Sequence, residues 1–138
     1  MKKLLLAFTL VSLSLTTAYA HEDNVKQFQD ITKPIIVKSD VSTFQIKLDA
    51  NKTTGYSWML VPDKTSKWIV AEKEQYIAPK NTKLVGAPGQ DIWTFAVSRE
   101  AFDVPSELHA TLVYARPWDM QGGKTVELKI VTQAEEDS

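Results

Sequence analysis

With 138 residues, 16 basic against 17 acidic side chains and no cysteine, the chain has the size of one domain. It can form no disulfide, thiolate metal site, cysteine nucleophile or lipid-modified cysteine. Its near-balanced charge without a basic run argues against nucleic-acid binding, and no stretch approaches the ~20 apolar residues of a membrane helix.

Residues 1–20 come first and have the layout of a secretory signal peptide. Lys2 and Lys3 open it, 4–15 is apolar, and Ala18-Tyr19-Ala20 is a small-x-small cleavage site. Cleavage after Ala20 removes two lysines and leaves a mature net charge of −3. The expected location is therefore outside the cytoplasm, periplasmic or secreted, with no membrane association after cleavage. An exported domain without disulfides is held together by packing, which suits a core-rich β protein.

Residues 21–33 are polar and without sustained periodicity, and are read as a lead-in arm. The domain proper is expected over 34–132, where the hydrophobic period is two. Residues 35–38 are β-branched, and in 43–48 Phe44, Ile46 and Leu48 alternate with Gln45 and Lys47. Strands are predicted next at 56–61, 68–77 and 92–97, the last rich in aromatic and β-branched residues. In 107–115, Leu108, Ala110, Leu112 and Tyr114 share a face; in 124–132, Val126, Leu128 and Ile130 do. About seven strands separated by Gly, Pro, Asn and Asp indicate an all-β antiparallel sandwich or barrel. Residues 133–138 form an acidic tail.

Three connections stand out. Asn51-Lys52-Thr53-Thr54-Gly55-Tyr56 combines backbone-bonding side chains with a glycine free to adopt positive φ. Gly86-Ala87-Pro88-Gly89 precedes the strand that holds Trp93, and Arg116-Pro117-Trp118 follows Tyr114. Taken singly, the first two read as ordinary turns, and Trp118 equally well as a residue folded onto the core. In a sandwich, however, the connections after residues 48 and 115 emerge at the same end, so two of the three loops meet there. Tryptophan and arginine are the residue types concentrated at interface hot spots.

Asn51-x-Thr-Thr-Gly-Tyr56 followed by Trp58, Gly86-x-x-Gly89 followed by Trp93, and Arg116-Pro117-Trp118 together resemble the signature loops of the chagasin-like inhibitors of papain-family cysteine proteases. The resemblance covers roughly residues 34–131. It implies an immunoglobulin-like sandwich and a monomeric, non-enzymatic, exported inhibitor that needs no cofactor and takes a cathepsin-like protease as its partner. It further implies that Thr53 and Thr54 lie over the protease's catalytic cysteine and histidine, with Arg116 and Trp118 gripping one side of the cleft. Gly86–Gly89 would approach the other side. Family members usually carry proline where Lys52 stands and consecutive glycines where Pro88 stands. Loss of the first proline predicts a looser first loop, at about 0.4–1 kcal/mol.

Other readings compete. Cleavage makes His21 the N-terminal residue, so its amine and imidazole with His109 could form a copper brace in a periplasmic carrier. A non-inhibitory interaction sandwich is a further alternative. An enzyme is disfavoured, because neither histidine is accompanied by a nucleophile motif. Asn51-Lys52-Thr53 is also a glycosylation sequon, and a glycan there would obstruct the first loop, which favours a bacterial host.

Overall fold

The computed structural model describes residues 25–80, 83 and 86–134. The signal-like segment, His21 and the last four residues lie outside them. Eight strands follow in order: β1 Lys26–Phe28, β2 Ile35–Lys38, β3 Thr43–Ala50, β4 Ser57–Val61, β5 Ile69–Ile77, β6 Gly89–Val97, β7 Glu107–Arg116 and β8 Asp119–Gln133. Short 3-10 turns occupy Lys52–Thr54, Ser66–Trp68 and Arg99–Phe102. The strands form two four-stranded sheets, β1-β3-β6-β5 and β2-β8-β7-β4. This is the expected all-β sandwich.

The core follows directly from period-two alternation, because every second side chain of an inner strand points between the sheets. β3 contributes Phe44, Ile46 and Leu48, β6 Trp93, Phe95 and Val97, β7 Leu108, Ala110 and Leu112, and β8 Leu128 and Ile130, all buried. At its centre Phe95 stacks on Phe44 at 5.5 Å and on Trp93 at 5.9 Å between ring centroids. Away from the three loops, the buried Thr132 hydroxyl donates to Ala101 O at 2.7 Å and accepts from Ser106 N at 2.9 Å, fastening β8 to the Arg99–Phe102 turn. Edge strand β5 exposes Glu72, Lys73 and Glu74, charges that discourage edge-to-edge pairing.

Three details differ from the sequence reading. The lead-in arm contains β1, which pairs parallel to β3, Lys26 opposite Phe44. A second parallel pair, β2 with β8, joins chain segments almost a hundred residues apart, so each sheet carries one parallel ladder beside two antiparallel ones. β8 begins at Asp119 rather than at 124 and runs through Gln133. Its first residues form a wide bulge: Tyr114 faces Lys124 and Arg116 faces Asp119, so Met120–Gly123 lie opposite Ala115 alone. Gly123 is required there, since a Cβ would come within 2.7 Å of Ala115 Cβ and 2.8 Å of Tyr114 O.

Candidate functional site

The first loop is a single 3-10 turn whose polar groups bond one another. Asn51 caps it in an extended conformation, and its side-chain oxygen accepts from Thr53 N at 3.1 Å and Thr53 Oγ1 at 2.6 Å. Thr54 Oγ1 donates to Asn51 O at 2.7 Å and accepts from Tyr56 N at 3.4 Å. Gly55 closes the turn at φ +76°, a left-handed conformation that costs a residue with a Cβ. The Tyr114 hydroxyl fixes the loop to the sheet, accepting from Asn51 N at 2.7 Å and donating to Asn51 O at 3.4 Å. Tyr114 lies between Trp58 and Tyr56, with ring centroids 4.9 and 5.4 Å away.

Tyr114→Phe removes both hydroxyl bonds while leaving the ring stack in place. We expect a stability loss of about 1 kcal/mol and faster hydrogen exchange at Thr53 and Thr54. Urea melts and amide exchange check this; an unchanged exchange rate would contradict it.

The third loop is the tip of the β7–β8 hairpin. Arg116 and Asp119 pair, leaving Pro117 and Trp118 as the two tip residues. The ring of Pro117 pre-sets its φ for the turn. Trp118 stays 76% exposed rather than folding onto the core. It leans toward the first loop, where a Cβ on Gly55 would come within 3.3 Å of the indole edge. Arg116 Nε–H donates to Thr54 O at 3.3 Å, and its guanidinium lies 5.1 Å over the Tyr56 ring. First and third loops therefore form one surface, as the sandwich topology requires.

The second loop meets the first at its root. Gly86 has φ +85°, Ala87 is half-buried, Pro88 is exposed, and Gly89 starts β6 directly opposite Ala50. Gly89 admits no side chain: a Cβ would meet Tyr76 OH at 2.4 Å and Ile77 O at 2.5 Å. All thirteen residues of the three loops thus lie at one end of the sandwich.

Sequence reasoning missed several participants. Met120 is exposed on the bulge two residues beyond Trp118; the only hint was that the alternation of the last strand stops short of Lys124. Lys52 reaches away from its loop, its Nζ 4.0 Å from Asp91 Oδ1 and 5.0 Å from the Tyr76 ring centre. Asp91 is fully buried, and neither of its carboxylate oxygens has a hydrogen-bond partner among the described residues. Burial pushes its carboxyl above the usual range, partly opposed by Lys52; burial and then the Asp91 charge do the same to Glu74.

A carboxyl raised in the folded state stabilises the fold fully below its unfolded pKa, and this contribution is lost as pH rises through the folded value. Asp91→Asn does not suffer that loss. Its stability should match wild type below pH of about 4, the ordinary carboxylate range, and exceed it near neutrality. Urea melts between those pH values check this; a gap independent of pH would contradict it.

His109 sits on the outer face of β7, its Nδ1 2.8 Å from Glu127 Oε1 and its Nε2 3.0 Å from Glu107 Oε1. Among the described residues no group of three or more His, Asp or Glu converges as a metal site.

Comparison with known proteins bears on this arrangement. The profile of the chagasin family of peptidase inhibitors (family I42) matches residues 39–130. The fold is similar to the crystal structure of a cysteine protease inhibitor from Entamoeba histolytica, with a TM-score of 0.54 and 16% identity, covering 80% of this chain and 96% of that one. No curated protein matches by sequence.

Proposed function

The chain belongs to the chagasin family of peptidase inhibitors, and from that premise we propose that its mature form is an exported, monomeric, tight and reversible inhibitor of papain-like cysteine proteases. It competes with substrate by filling the active-site cleft with the three loops and needs no cofactor. The observation that carries this reading is the continuity of the loops: Arg116 bonded to Thr54, Trp118 against Gly55, and Gly89 paired with Ala50.

A protease cleaves a peptide held extended across its nucleophile. Residues 51–56 are wound into a 3-10 turn whose threonine hydroxyls are committed to internal bonds. The turn can therefore occupy the cleft without offering a scissile bond in line for thiolate attack. Thr53 and Thr54 would lie over the catalytic cysteine and histidine. Trp118, Arg116 and Met120 would grip one wall, the indole by stacking and the guanidinium by hydrogen bonds or a charge pair. On the other wall the small residues Gly86, Ala87 and Gly89, with Pro88, allow close approach of backbone to backbone. Loops already ordered in the free protein lose little entropy on docking, so an interface of about 1,600 Å² can bind tightly. The neighbouring structure, a cysteine protease inhibitor, supports the class of partner. Export rests on residues 1–20.

Thiol protection tests the proposal. Papain mixed with excess mature chain should resist alkylation by iodoacetamide, and the chain should be recovered uncleaved. Alkylation at the rate of free papain, or cleavage within residues 51–56, would overturn it.

A further inference from the structure

We infer that Lys52 is a positioning residue: through Asp91 and Tyr76 its ammonium ties the first loop to the root of the second, so the two present one rigid surface. The inference deepens the inhibitor reading and rests on it for its functional consequence. Its structural content stands without that reading.

Lys52 lies in the 3-10 turn, yet its side chain leaves the loop and crosses to the other strands of its sheet. Its Nζ meets the buried carboxylate of Asp91 at 4.0 Å, within ion-pair range, and the face of Tyr76 at 5.0 Å. Asp91 and Tyr76 are register partners on β6 and β5. Both adjoin the second loop: Asp91 stands two residues after Gly89 on β6, and the Tyr76 hydroxyl packs so close to Gly89 that a Cβ there would clash with it.

Energetics gives the contact its purpose. A carboxylate removed from water without hydrogen bonds is a standing cost, and a cation beside it is the strongest available relief. Lys52 is half exposed, so it gives up little hydration to supply that relief. The attraction is therefore one-sided: buried Asp91 cannot move toward the loop, and the loop is drawn down to Asp91. Trp118 and Arg116 restrain the first loop from the other sheet, and Lys52 completes the restraint on the side facing the second loop.

Four proteins test this at pH 7.5: Lys52→Met, Asp91→Asn, the double variant and Lys52→Arg. Two measurements are made, amide exchange of Thr53, Thr54, Gly55 and Tyr56 in the free protein, and the inhibition constant for papain. Each charge-removing single variant should speed loop exchange and weaken inhibition about fivefold, the upper range for a partly exposed pair. The double variant should be no worse than either single one, and Lys52→Arg should stay within about twofold of wild type. Asp91→Asn carries a sharper signature, because it should inhibit less well while melting at a higher temperature. A merely structural role would move both in the same direction.

Wild-type exchange rates in Lys52→Met would overturn the tie whatever papain does, as would additive losses in the double variant. If wild type fails to inhibit papain while Lys52→Met speeds loop exchange, the inhibitor reading falls and the tie stands.

Discussion

Trp118→Ala is expected to raise the inhibition constant for papain about thirtyfold, the factor for a hot-spot loss of about 2 kcal/mol, without lowering the melting temperature. The two halves of that expectation come from the same observation. At 76% exposed, the indole contributes little to the core and leaves most of its area for a partner. It stands at the hairpin tip beside Pro117, whose ring limits the backbone freedom that binding would remove. The bulge at Met120–Gly123 sits behind the tip, and Gly55 lies against its edge. Trp118→Phe should fall between wild type and alanine, since it keeps an aromatic face but loses area. An unchanged inhibition constant for the alanine variant, with papain still inhibited, would move the hot spot elsewhere.

Phe95→Ala is expected to have the largest effect on stability, about 3–5 kcal/mol. Phe95 is fully buried and stacked between Phe44 and Trp93, so truncation opens a cavity that two rigid rings cannot collapse to fill. Against a net stability of about 5–15 kcal/mol for a domain, that is a large fraction. Inhibition by the protein that remains folded should be unchanged, because Phe95 lies six residues along β6 from Gly89, away from the loops. Urea melts and active-site titration separate the two effects. A loss below about 1 kcal/mol would mean that the rings repack into the gap.

What could be read in advance depended on range. Alternation in 43–48 and 107–115 exposes the inner faces of β3 and β7 directly, because period two is a local property. β1 escaped notice because three residues, two of them exposed, carry no pattern; it exists only because β3 offers an edge. The start of β8 escaped because four bulged residues break the alternation. In the site, Asn51, Thr53, Thr54 and Gly55 were recognisable as a turn from their own chemistry. Composition could not decide where Trp118 points; the hairpin tip and the opposing Gly55 decide it. Replacing the family's proline with Lys52 predicted a looser loop from backbone entropy alone. The side chain instead reaches Asp91, thirty-nine residues away in sequence, a contact no local pattern reveals.

The central claim is that the loop end occupies the cleft of a papain-like protease. Its most direct measurement is steady-state inhibition of papain by the mature chain over a range of substrate concentrations, with trypsin and thermolysin alongside. The account predicts competitive inhibition of papain, its apparent strength falling as substrate rises, and none of the serine or metalloprotease. No inhibition of papain at micromolar chain, or equal inhibition of all three, would contradict it.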